Sequence, residues 1–178
     1  MSKELKKVIS AGFLLHWNGK YLIGLPPDRC GTTGGWGIPK GRQDAGEKLL
    51  TTALREFWEE TALELRNESI DGNIHFEEEP FYSYKVVAKE DKTVFVYRAY
   101  ATIKPEKDWL KDYPFKCLTY LKNGKPEIEQ YKWVTPEEAI QLVVKSQRQV
   151  FEFVKNYKDV DGNKEIRSYT GNQPALQA

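Results

Sequence analysis

Between Gly41 and Leu63 the chain sets one glutamate, Glu47, ahead of a tighter group formed by Arg55, Glu56, Glu59 and Glu60. On a helix, at about 100° per residue, the last three glutamates fall within an arc of roughly 100°, and Glu56 and Glu60 stand one turn apart. Like charges so placed repel by several tenths of a kcal/mol, and a cation between them removes that penalty. Hard oxygen ligands suit Mg²⁺, with Mn²⁺ as a substitute, and the usual companion of Mg²⁺ is a phosphate. A bare Glu-x-x-Glu-Glu is usually a solvated acidic face. Here it comes with a glycine at its start, a glutamate at a fixed distance and an adjacent arginine.

The second half of the stretch must be helical to gather these groups. Leu50, Ala53, Leu54, Phe57, Trp58 and Thr61 recur at three- and four-residue steps and predict one buried stripe. Asp44 is positioned as N-cap, with Glu47 in the capping-box place. The three glutamates then lie on the opposite, exposed side.

The stretch resembles the Nudix box, in which Gly is followed by five residues, Glu, seven residues, Arg-Glu, an aliphatic, any residue, Glu-Glu, any residue, Gly and an aliphatic. Gly41, Glu47, Arg55, Glu56, Glu59, Glu60 and Leu63 match at the right spacing. Phe57 stands where an aliphatic is usual, and Ala62 replaces a glycine. In a left-handed conformation Ala62 costs on the order of 1 kcal/mol. The resemblance spans roughly 8–157 and implies an α+β fold, an α/β/α sandwich with a mixed central sheet. It also implies Mg²⁺-dependent hydrolysis of a diphosphate linkage in a nucleoside diphosphate joined to another group. In that reading Glu56, Glu59 and Glu60 hold the metal, while Glu47 and Arg55 keep the carboxylates in place.

Trp36-Gly37-Ile38-Pro39-Lys40-Gly41 is similar to the strand that leads into the metal site of many such hydrolases. The backbone near Lys40 and Gly41 could complete the metal shell and the Lys40 side chain could meet a phosphate; Trp36 is either part of the site or plain core. The family often adds a distant carboxylate before a Trp-containing strand. Trp133-Val134-Thr135-Pro136-Glu137-Glu138 looks like that strand and the helix start after it. Glu127 is therefore the candidate extra ligand or general base, against the alternative of a solvated hairpin residue; Glu56 is the other candidate base. The Trp-x-x-Pro-Lys-Gly pattern leans towards dinucleoside polyphosphates, with nucleotide sugars also in range. Pro80 and Tyr82 fit neither the ADP-ribose nor the dinucleoside markers cleanly. Two rivals keep the fold: a nucleotide-binding module without turnover, and an RNA 5′-end pyrophosphohydrolase.

At 178 residues and a net charge of +1 the chain suits one domain, expected over 1–157 with a flexible tail over 158–178, and no polyanion-wrapping surface. Small nucleotides are the expected partners; RNA is disfavoured, a homodimer is allowed and no membrane span is foreseen. Cys30 and Cys117 read as reduced thiols in a cytoplasmic protein. Asn18-Gly19 predicts a hairpin between 8–17 and 20–25. The loop over 28–35 reads as a surface connection, and 77–79 as a solvated charge run. Strands are predicted over 74–76, 81–88 and 93–103, with an irregular insertion over 104–115. A second Asn-Gly hairpin is predicted between 117–121 and 127–134. Thr135 caps a single helix running to about Tyr157, with Ile140, Val143, Val144, Gln147, Val150, Phe151 and Val154 as its buried stripe.

Overall fold

The computed structural model of the protein describes residues 5–29, 34–66, 74–101 and 109–156. Strand β1 (Lys7–Trp17) and β2 (Lys20–Leu25) form the expected hairpin. Asn18 and Gly19 both have positive φ, the geometry a two-residue turn of this hand requires. Only the ends of the hairpin pair, His16 with Tyr21 and Trp17 with Lys20. Further down, the strands splay and residues 36–42 fill the gap. Gly37 exchanges both backbone hydrogen bonds with Gly24 at 2.8 and 2.9 Å, and β3 (Lys40–Arg42) pairs with Ser10 to Gly12 of β1. Gly12 is obligatory here, because a Cβ would stand 2.2 Å from the Pro39 carbonyl oxygen.

On the other side β1 runs parallel to β6 (Asp91–Ala101), which in turn holds β4 (Ile74–Phe76) and β5 (Tyr82–Val87) antiparallel. β7 (Gln130–Val134) closes the sheet against β2, giving seven strands of mixed direction. Helix α1 (Leu49–Thr61) covers one face, with Ala53 and Phe57 packed on Ala11, Phe13, Leu15 and Leu22. Fully burying a ring such as Phe57 contributes roughly 1.5–3 kcal/mol. Helices α2 (Pro136–Leu142) and α3 (Arg148–Asn156) cover the other face, where Val150 and Phe151 meet Leu14, Ile23, Val94 and Val96. The α/β/α sandwich with a mixed sheet is therefore as expected.

Several local expectations give way to tertiary contacts. Asp44 does not cap α1; it sits in a turn four residues upstream, and the N-cap is Lys48 with no side-chain bond. Glu47 accepts the Asp44 N–H at 3.2 Å as a capping box would have it, but the pair closes a turn ahead of the helix, and the same carboxylate is shared with Arg55 and Thr52. Trp58 is exposed while Glu60 is buried, which rotates the buried stripe towards the acidic side. The predicted single helix after Thr135 is two. The Thr135 cap forms as read, and Glu138 completes it as a capping box, but the helix ends at Leu142, because Trp36 donates to the Leu142 carbonyl and accepts from the Val144 N–H. That pairing draws Val143 into an extended conformation, and a 3₁₀ turn at Lys145–Gln147 leads into α3.

The second Asn-Gly pair makes a tight turn with Gly124 at φ 80°, yet only Tyr120 and Pro126 bridge across it; β7 pairs with β2 instead. In the charge run, Glu77 is paired with Arg98 and is not simply solvated. Cys117 is a buried free thiol, whereas Cys30, residues 104–108 of the insertion and the tail from Lys158 lie outside the described residues. No described helix is long and apolar enough to cross a membrane.

Candidate active site

Four groups converge on the C-terminal end of α1 and fix where its carboxylates stand. A helix leaves its last carbonyls without internal partners. Here the Leu118 N–H donates to Glu59 O at 2.6 Å, the Tyr131 hydroxyl to Glu60 O, the Lys116 N–H to Thr61 O at 3.1 Å and the Tyr113 hydroxyl to Ala62 O at 2.7 Å. The helix closes on Ala62 at φ 56°, ψ 15°, whose N–H donates to Trp58 O. This is the left-handed conformation that disfavours alanine. Ala62→Gly should therefore raise stability by roughly 1 kcal/mol, read as a higher midpoint in urea at unchanged slope; no gain would mean that neighbouring contacts already offset the strain.

Arg55 organises the acidic face. Its guanidinium takes Glu47 in a two-point fork, Nε to Oε1 at 2.9 Å and Nη2 to Oε2 at 3.0 Å. Nη1 donates to Glu56 at 2.8 Å and to Glu59 at 3.1 Å, and Nη2 also reaches the Arg42 carbonyl at 3.0 Å. The Arg55 fork, helped by the Thr52 hydroxyl and the Asp44 N–H, holds the Glu47 carboxyl at about 2. Glu56 lies over Gly41, where a Cβ would come within 1.9 Å of its Oε2. Only glycine leaves room for that carboxylate.

Glu60 is the deepest of the group, with 7 % of its surface exposed. Its Oε2 accepts the Lys40 N–H at 2.8 Å. Burial pushes its carboxyl up to about 8, against the pull of Lys40; the charges of Glu56 and Glu127 add to the rise. Burial raises Glu56 as well, opposed by Arg55 and reinforced by Glu59 and Glu127. Glu127 is therefore close enough to feel both, although it comes from a different part of the chain.

A cleft of about 470 Å³ opens beside this cluster. Glu60, Glu127, Lys40 and Lys92 line it together with Trp36, Gly37, Ile38, Tyr84, Val86, Val94 and Gln147. Asp28, Arg29 and Gly35 also line it, so the ends of the 28–35 segment belong to the cleft rather than to a plain surface connection, and residues 30–33 lie outside the described residues. Burial, with Lys40 and Arg42 nearby, pushes Lys92 down to about 8, against the pull of Glu90 and Glu56. Of the residues predicted from sequence, Glu60, Glu127, Lys40 and Trp36 share the cleft wall. Glu56 is tucked between Arg55 and Gly41, and Glu59 is turned to Arg55. Lys92, Tyr84 and Gln147 were not foreseen as cleft residues. Their only sequence signals are a lysine opening an apolar strand and polar groups inside otherwise apolar patterns.

Among the described residues no three acidic, histidine or cysteine side chains form a closed metal cage. The donor chemistry nevertheless fits a hard divalent cation. Mg²⁺ keeps waters and substrate phosphate in its shell and needs only one or two protein carboxylates. The buried, charge-disfavoured Glu60 and the Glu56 carboxylate seated in the glycine cradle are the residues that could supply them.

A layered α/β/α domain with carboxylates and lysines gathered in one cleft has the constitution of a hydrolase of phosphate compounds. The family model of the NUDIX domain matches residues 18–154, and the chain belongs to the Nudix family, an enzyme of the Nudix hydrolase type. A search of curated proteins finds no match. Solved structures share the fold. The MutT protein from Methanosarcina mazei Go1 aligns at TM-score 0.61 and 21 % identity, covering 88 % of this chain and 100 % of that one. A C. elegans Ap4A hydrolase in a binary complex aligns at TM-score 0.60 and 18 % identity, covering 84 % and 96 %. The bifunctional NMN adenylyltransferase/ADP ribose pyrophosphatase from Francisella tularensis aligns at TM-score 0.57 and 12 % identity, covering 87 % and 43 %.

Proposed function

We propose that the protein is a Mg²⁺-dependent pyrophosphohydrolase that cleaves a diphosphate linkage in a nucleoside diphosphate joined to a second group, with dinucleoside polyphosphates as the leading class and nucleotide sugars next. The observation that carries this reading is the meeting of Glu60, Glu127, Lys40 and Lys92 in one cleft at the end of the acidic helix. The Ap4A hydrolase among its structural relatives supports the substrate class, and the Francisella enzyme is complexed with AMP and a manganese ion, in keeping with a divalent cation.

Glu56, Glu59 and Glu60 would hold the cation, which when bound neutralises phosphate charge and lowers the pKa of water. Lys40 and Lys92 meet the phosphate oxygens, where an anion relieves their mutual repulsion. Glu127 accepts a proton from the attacking water as its oxygen bonds to phosphorus and the bridging P–O bond breaks. Arg55, pinned by Glu47, keeps Glu56 and Glu59 from drifting apart before substrate arrives. Trp36 offers a ring against which a base can stack.

Chromatography of products from dinucleoside polyphosphates, nucleotide sugars, nucleoside triphosphates and capped RNA, each with Mg²⁺, tests the reading. One class should be cleaved. No product from any class, with Mn²⁺ tried as well, would leave a binding module. Glu127→Gln should lower kcat roughly 10- to 100-fold with KM little changed; an unaltered kcat would move the base to Glu56.

A further inference from the structure

The cleft carries a second polar set that phosphate chemistry does not use. Gln147, in the 3₁₀ turn before α3, is 3 % exposed, and its Oε1 accepts the Ile38 N–H at 2.8 Å. A backbone N–H only donates, so this bond settles which end of the amide is oxygen. The NH₂ end lies by Gly37, where a Cβ would come 3.2 Å from Nε2. Gln147 is also hydrogen-bonded to the buried Tyr84 hydroxyl and opposes the rise that burial imposes on that phenol. With its oxygen taken by the Ile38 N–H, the amide has its NH₂ hydrogens left to donate to that hydroxyl. Tyr84 then keeps its own proton to give, and Gln147 keeps its second amide hydrogen. Both side chains line the cleft, together with Trp36.

We propose that Gln147 and Tyr84 are a base-reading pair that selects nucleotides whose base carries an oxygen at the purine 6-position or pyrimidine 4-position, as guanine and uracil do, over adenine and cytosine, which carry an amino group there. The inference rests on the nucleotide reading above and adds its specificity. Every hydrogen the pair can still offer is a donor. An exocyclic amino group placed there sets donor against donor and leaves buried N–H and O–H groups unpaired, which discriminates more strongly than a missing attraction. The distances suit a nucleotide: Trp36 and Lys40 are four residues apart, at most ~13 Å of extended chain. A base at Trp36, Tyr84 and Gln147 therefore leaves its phosphates within reach of Lys40 and Glu60.

The test is calorimetric binding of the α,β-methylene analogues of GDP, UDP, ADP and CDP to the full chain with Mg²⁺. The guanine and uracil analogues should bind about tenfold tighter or more, the scale of a two-point base contact. Gln147→Glu keeps an acceptor for Ile38 and turns the cleft-facing end from donor to acceptor, so the order of bases should reverse. Tyr84→Phe should narrow the preference, and it carries the test if the first variant fails to fold. Equal affinities for all four bases, tighter binding of the adenine or cytosine analogue, or an order unchanged in both variants would overturn the pair. The hydrolase reading fails separately: the base preference without product from any substrate class would leave the pair intact and remove the catalysis. Binding of none of the four overturns the base-reading pair.

Discussion

Glu60→Gln should yield a protein that no longer turns over substrate and yet melts higher than wild type at pH 8 without metal. The carboxyl is buried against the Lys40 N–H and raised from 4.5 to about 8. The folded protein thus binds this proton more tightly than the unfolded chain. Its contribution to stability is fully present below pH 4.5 and is lost as pH rises through 8. At about 1.4 kcal/mol for each tenfold change in proton affinity, the charged form costs the fold on the order of a few kcal/mol. An amide has no charge to desolvate and still accepts the Lys40 hydrogen bond through its oxygen. The melting temperatures should therefore agree near pH 5 and separate by roughly 5–10 °C at pH 8. Calorimetric melts across that range decide the matter, and a variant less stable than wild type at pH 8 would mean that Glu60 is stabilised by something other than its proton. A carboxylate kept where it weakens the fold is what a metal-binding role explains.

Arg55→Ala should have the opposite signature, losing stability and activity together. The guanidinium is the shared partner of Glu47, Glu56 and Glu59, whose side chains are 12, 12 and 26 % exposed. Removing it leaves three partly buried carboxylates facing one another. A fully buried pair broken on one side costs about 3–5 kcal/mol; with a quarter of Arg55 in solvent, about 2 kcal/mol is the better figure. Turnover should fall roughly 100-fold, because Glu56 and Glu59 lose the contact that fixes them. Arg55→Lys should recover part of the stability and little of the rate, since an ammonium cannot make the two-point fork to Glu47. Wild-type rates in Arg55→Ala would end the positioning role. The same fork carries a pH dependence of the usual sign. Glu47 contributes stability above pH 4.5 that is lost as pH falls through about 2.

Helical spacing was enough to bring Arg55 and the three glutamates together, because a helix turns spacing into direction; Glu47, which precedes α1, was tied to them only by the family resemblance. Spacing could not say which of the three glutamates is buried. The Glu60 carboxylate is held by the Lys40 N–H, and Tyr131, Lys116 and Leu118 bond the last carbonyls of α1; these partners lie outside the helix, most of them far along the chain. For the same reason a helical wheel placed Trp58 inside and the structure turns it out. The break at Val143 was hidden too. Periodicity registers side chains, whereas that break is made by backbone bonds from Trp36. Gln147 had the right spacing to be buried, and is buried, but as the hub of Ile38 and Tyr84 rather than as one more residue of an apolar stripe. Glu127 reached the cleft wall as its distance from Trp133 suggested. The turn chemistry at Asn18-Gly19 and Thr135-Pro136 was fully local, and there sequence and structure agree.

The most direct test of catalysis at the end of α1 compares Mg²⁺-dependent turnover of wild type and Glu60→Gln on the best-cleaved substrate, with both proteins shown folded by their melts. Wild type should be silenced by a chelator and restored by Mg²⁺, while the variant gives no product at any Mg²⁺ concentration. A variant that turns over at the wild-type rate would contradict the placing of catalysis at the buried end of α1.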